Sequence, residues 1–120
     1  MDSRLEKALD FANFRMILST RQKNLKQLFD NKLLFHYNSG IFKATPEFLA
    51  FVNIIMQRDK MDGFIFIDQN DTPIHVKDVD AFYNVAFNKY KTALIQYHES
   101  HQKLNEAKDI RKALDWEDAK

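Results

Sequence analysis

The chain has 120 residues and a mass of 14.3 kDa, enough for one compact domain and too little for two ordinary ones. Its hydrophobic content of 45%, with 11 Phe, 4 Tyr and 1 Trp, excludes a disordered tail, while 29% charged residues and a mean hydropathy of −0.49 exclude a membrane core. A formal net charge of +1 supplies no global field for nucleic acid or membrane, the absence of cysteine removes disulfides, thiolate zinc sites and thiol nucleophiles, and two Gly leave no phosphate-cradling loop.

The segment Met1–Asp10 is charged and no run of 15 or more apolar residues occurs, so neither a signal peptide nor a spanning helix is drawn; the expected location is the compartment of synthesis. From Asp2 to about Phe29 there is no Pro or Gly, and Phe11, Phe14, Leu18, Leu25 and Leu28 follow a 3,4 spacing interrupted at Arg21. This predicts an amphipathic helix. Leu5, Ala8, Leu9, Ala12 and Met16 form an adjacent stripe, which widens the apolar face and predicts more than one neighbour.

At Leu33 the period changes. Leu33–Tyr37 and Ile41–Ala44 flank Asn38-Ser39-Gly40, a pattern that predicts a β-hairpin, with Asn and Gly supplying positive φ. Thr45-Pro46-Glu47 then reads as a helix start, and the helix to about Arg58 carries apolar residues around most of its circumference, so it is expected to be the most buried one. Phe64–Ile67 and Ile74–Val76, around a polar turn, predict a second hairpin, with Pro73 at an edge or at a late start.

Asp78 is placed to cap a final helix to about Trp116. Its seam runs Val79, Tyr83, Ala86, Tyr90, Ala93, Tyr97, Ser100, Leu104, Ala107, Arg111 and Leu114, with Phe82, Phe87 and Leu94 widening the buried face near its start. Such a helix is roughly 55 Å long, against a diameter of about 35 Å for a compact domain of this size. The expected fold is therefore α+β: long N- and C-terminal helices packed antiparallel, with two β-hairpins and a central buried helix. Residues 1–120 read as a single domain, with a helical stalk (2–30 and 79–116) and an α+β head (32–78). A homo-oligomer, by preference a two-fold dimer, would cover the apolar surface left over, with Tyr97, Leu104, Leu114 and Trp116 as the partner-binding residues.

Candidate chemistry is sparse. His98 and His101 are one turn apart, but Glu99 and Glu106 do not complete a ligand set, so both read as solvated surface. His36 and His75 lie on strands and alternate away from the core. The acids Asp59, Asp62, Asp68, Asp71, Asp78 and Asp80 lack the order of a helix–loop–helix calcium site, and turn or capping chemistry accounts for Asp68, Asp71 and Asp78. No nucleophile, paired carboxylates or catalytic lysine stands in a recognisable setting, so no catalytic residue, metal or cofactor is assigned and the chain reads as a non-enzyme. The stretch between Asp10 and Asp30 has no acid and carries Arg15, Arg21, Lys23 and Lys26, the local feature nearest to a phosphate-tracking surface. Whole-chain neutrality favours a merely solvated basic face.

The opening Met1–Phe11, the segment Asn38-Ser39-Gly40-Ile41-Phe42-Lys43-Ala44, the segment Ile67-Asp68-Gln69-Asn70-Asp71-Thr72-Pro73-Ile74 and the Tyr97–Leu104 region carry a resemblance over most of the length to about Lys108. In these the chain resembles small uncharacterised proteins encoded by large contractile-tailed phages of marine bacteria. None of the matching segments is a functional motif, so the resemblance transfers no catalytic or binding residue. It implies an accessory or assembly protein made in the cytoplasm of an infected bacterium, with viral or host proteins as partners. The leading expectation is thus a self-associating protein that works by protein–protein contact, and the alternative is a nucleic-acid-binding accessory factor using the basic band.

Overall fold

The computed structural model describes residues 3–58 and 62–118, with side chains to residue 107. The fold is α+β, in the order α1 (Ser3–Lys32), β1 (Leu34–Tyr37), β2 (Gly40–Lys43), α2 (Pro46–Arg58), β3 (Phe64–Ile67), β4 (Pro73–Val76) and α3 (Val79–Asp118). Long helices stand at both ends and run antiparallel. Each hairpin is its own two-stranded antiparallel sheet. The chain divides into two compact units: residues 29–95, which hold both hairpins and α2, and a helical unit from residues up to 28 and from 96 onward.

In the first unit, Tyr37 pairs with Gly40, so Asn38 and Ser39 alone make the β1–β2 turn. Their φ values of 47° and 69° are both positive, as a hairpin turn that matches strand twist requires. The sequence assigned positive φ to Asn and Gly; Ser39 takes it instead, and Gly40 serves another purpose. A Cβ on Gly40 would lie 2.8 Å from Ile74 Cγ1 and 3.0 Å from Phe42 Cε2, so the missing side chain is what lets β4 close on β2. Gly63 enters β3 at φ +105°, where a Cβ would lie 2.3 Å from the Val76 carbonyl oxygen.

The helix starts form as the sequence predicts. Thr45 Oγ1 accepts the Phe48 amide at 3.1 Å, with Pro46 in the first helical position where no donor is lost. Asp78 Oδ1 accepts the Ala81 amide at 3.0 Å and starts α3. At the end of α1, Lys43 Nζ pairs with Asp30 Oδ2 at 2.7 Å, a contact too exposed to contribute much.

Strand alternation sends Phe35, Phe42, Phe66, Ile74 and Val76 inward, where they meet Leu49 and Val52 of α2 and Phe82 and Ala86 of α3. Phe82 is fully buried, with ring centroids at 4.9 Å from Tyr37 and Phe66, 5.0 Å from Phe42, 5.7 Å from Phe48 and 5.8 Å from Phe35. One ring on α3 thus joins β1, β2, α2 and β3. Burial of α2 is one-sided, contrary to the sequence expectation: Leu49 and Val52 face the core, while Phe51 and Ile54 are 46% and 51% exposed. A helix lying on two small sheets can cover only one of its faces.

The α3 seam is the buried side of that helix: Ala86, Ala93 and Leu104 are buried, and Val79, Tyr83, Tyr90, Tyr97 and Ser100 half-buried. Phe87 and Leu94, expected to widen it, are both 42% exposed. On α1 the seam holds at Phe14, Leu18 and Leu25 but leaves Phe11 and Leu28 exposed, and near Leu28 it is Phe29 that packs, edge-on to Tyr90 at 6.3 Å. A straight helix drifts by about 20° per heptad, so the inward position passes to the next residue after a few turns.

Truncating Phe82 to Ala is expected to cost about 3–5 kcal/mol, a large share of the stability of a domain this size. Urea unfolding followed by circular dichroism checks it; a loss under 1 kcal/mol would show that the rings around Phe82 hold together without it.

Candidate interaction site

Among the described residues Asp68 is the acid with the most backbone amides on its carboxylate. Although 7% exposed, its carboxylate accepts three amides: Ile41 on Oδ2 at 3.0 Å, and Asn70 and Thr72 on Oδ1 at 2.9 Å each. Beside it the Gln69 amide donates to the Ile41 carbonyl at 2.8 Å, and Asn38 Nδ2 donates to the His75 carbonyl at 3.1 Å. These bonds stitch the two hairpins together. The Ile41 amide above all, then that of Thr72, hold the Asp68 carboxyl below the usual carboxylate range against the opposing effect of burial, and the Asn70 amide adds a lesser pull the same way. Turn chemistry accounts for only part of this arrangement, since Ile41 is 27 residues away. With its oxygens turned to backbone amides, Asp68 is a structural anion.

His36 and His75 are exposed on their strands. His101 stacks on Tyr97 at 6.1 Å and meets Asn105 at 3.2 Å, one turn away on each side, so its ring is engaged along its own helix. Among the described residues no group of three or more His, Asp or Glu side chains is placed to hold a metal, and no described helix is long and apolar enough to cross a membrane.

In the helical unit, α1 and α3 enclose a groove of about 320 Å³ lined by Arg21, Asn24, Leu25, Ser100, Lys103, Leu104 and Ala107. Arg21 reaches it because it occupies the seam between Leu18 and Leu25. It is therefore separated from the rest of the basic band: at about 100° per residue, Arg21 and Lys23 point about 160° apart, while Arg15, Lys23 and Lys26 fall within about 80° of one another. Arg15 lies over the Phe11 ring at 5.8 Å. Neither Arg21 nor Lys103 pairs with a carboxylate among the described residues.

The residues expected to bind a partner divide three ways. Leu104 is 7% exposed and lines the groove beside residues of α1, so its own chain already covers most of it. Leu104→Glu would therefore disturb the helical unit itself, whereas the sequence reading made Leu104 a partner-binding residue. Tyr97 is half-buried above His101. Leu114 and Trp116 stand on the last turns of α3, and their side chains lie outside the described residues.

The second apolar stripe of α1 is half or more exposed at its large residues. Leu5 and Leu9 are each 52% exposed and Met16 is 70% exposed, and Leu18 is the buried residue of the whole helix. Sequence reasoning identified this stripe but placed the partner surface on α3. At about 100° per residue Leu5, Leu9 and Met16 lie about 140–180° from Leu18, on the far side of α1 and not beside its seam as the sequence reading had it. Comparison with family models, with curated proteins and with solved structures gives no match.

The Asp68 geometry has a pH consequence. A carboxyl with a depressed pKa contributes stability that is complete above its unfolded value of about 3.9 and is lost as pH falls through the lower folded value. Melting temperature should therefore drop on acidification below about pH 4. Asp68→Asn should melt lower at neutral pH and show a shallower acid limb; parallel limbs for the two chains would mean that other carboxyls carry the acid sensitivity.

Proposed function

We propose that the protein is non-enzymatic and works by protein–protein contact, beginning with its own self-association, in the manner of an accessory or assembly protein. The observation that carries this reading is the uncovered stripe of α1. A 30-residue helix that buries a single residue, while Leu5, Leu9 and Met16 stay half or more exposed, draws little stability from its own chain. Contiguous apolar surface of this kind on a helix marks an interaction face. The stripe is also self-complementary. When two copies of α1 run antiparallel about a two-fold axis near residues 10 and 11, Leu9 meets Ala12 and Met16 meets Leu5, large against small and long against branched. The resemblance to phage proteins adds that such an assembly would act in the cytoplasm of an infected bacterium, on viral or host partners.

Sedimentation equilibrium at tens of micromolar is expected to give a multiple of 14.3 kDa. Leu9→Glu together with Met16→Glu should shift the mass toward that of one chain while leaving the melting of the 29–95 unit unchanged. A wild-type mass of one chain throughout would remove the reading.

A second reading rests on Arg15, Lys23 and Lys26, which are exposed on one side of α1 with no acid between Asp10 and Asp30. Cations so placed suit a phosphate backbone. If they serve it, DNA affinity should fall steeply with salt, and changing all three to Gln should remove the binding and its salt slope. An unmodified protein that leaves DNA unbound at low salt would retire this alternative.

A further inference from the structure

The groove between α1 and α3 is built for an acidic, apolar occupant. Its floor is aliphatic, from Leu25, Leu104 and Ala107, and Arg21 and Lys103 both border it with no carboxylate partner among the described residues. Two exposed like charges at the edge of an apolar floor favour an anion delivered together with an apolar group. The volume of about 320 Å³ is at the small end for a binding pocket and suits one large side chain.

The chain carries a segment of that chemistry. Its single tryptophan, Trp116, stands between Asp115 and the pair Glu117 and Asp118. Tryptophan flanked by acids is an anchor of the kind that dominates interfaces, the ring entering the pocket and the carboxylates meeting cations at its edge. The groove of the same chain is out of reach: α3 stays helical to Asp118, which puts residue 116 nine residues past Ala107, about 13 Å further along the axis. We infer that the groove formed by Arg21, Leu25, Lys103 and Leu104 receives Trp116 and its acidic neighbours from a second copy of the chain.

The inference rests on the self-association proposed above and adds a second contact, on the α3 side of α1 and apart from the Leu5, Leu9 and Met16 stripe. Arg21 and Lys103 act in it as partner-binding cations, which separates Arg21 from the phosphate reading of Arg15, Lys23 and Lys26. It also gives Trp116, singled out in the sequence, an acceptor surface on the other copy.

Sedimentation equilibrium and the fluorescence of the single tryptophan test it together. The emission of Trp116 should shift to shorter wavelength as the wild-type concentration rises through the association range. Arg21→Glu with Lys103→Glu in one chain, and Trp116→Ala in another, should each weaken association roughly tenfold or more. Mixing the Arg21→Glu, Lys103→Glu chain with an Asp115→Lys, Glu117→Lys chain should restore a complex that neither forms alone, a result that loss of folding cannot mimic. A chain that associates normally without Trp116 overturns the inference and leaves the self-association reading in place. Weakening by the groove variant with no effect of Trp116→Ala would assign the groove to another acidic segment and overturns it equally. A wild-type protein that stays a single chain at every concentration overturns both readings.

Discussion

Two-stranded hairpins are marginal in water, and this chain has two of them, each a separate sheet. What makes them persist is the ring of Phe82. Carried on the second turn of α3, it meets aromatic rings from β1, β2, α2 and β3 at centroid separations between 4.9 and 5.8 Å, with tilted or edge-on geometry of the kind that aromatic quadrupoles favour. Residues far apart in sequence become one core through a single side chain. The placement of Asp78 follows from this requirement, because the cap fixes where α3 begins and hence which of its faces points Phe82 at the sheets.

Aromatic packing is permissive about register, and the hairpins need something more directional to meet in one way. Asp68 supplies it. One carboxylate closes its own turn through the Asn70 and Thr72 amides and reaches Ile41 on the other hairpin, while Gln69 returns a bond to the same residue. Charge-assisted bonds to amides are stronger than neutral ones and fall off quickly with misalignment. The close approach they impose is possible because Gly40 brings no Cβ against Ile74. Rings drive the collapse of this unit, and a carboxylate and a missing methyl decide its geometry.

Much of this was legible in the sequence because it is local. The switch of period at Leu33 and at Phe64 located both hairpins, Thr45-Pro46 and Asp78 located two helix starts, and the Val79–Leu104 spacing located the buried side of α3. The parts that were not legible depend on what lies opposite in space. Asp68 reads as a turn residue because its local bonds are a turn's, and the bond to Ile41 leaves no trace in spacing. Ser39 carries positive φ because a two-residue turn between Tyr37 and Gly40 demands it, whatever the preference of serine. Phe51 and Ile54 look like core in α2 until the size of the sheets beneath it is known, and Leu28 yields its place to Phe29 only because a straight helix does not keep a seven-residue period.

Candidate function was less legible still, and for a physical reason. Binding faces on helices are written in the same apolar residues as cores, so the sequence could count two stripes on α1 without telling which one the chain itself would cover. The structure divides them: Leu18 and Leu25 turn inward, while Leu5, Leu9 and Met16 are left in solvent. Arg21 shows the same ambiguity in reverse, a charge in a seam that reads as an interruption until Lys103 is found lining the same groove. A cation in a seam interrupts the apolar contact that the seam would otherwise make, even where its charge stays exposed. Retaining two such cations around one apolar floor is intelligible where the free chain is a component and the acid that completes the groove arrives with another molecule.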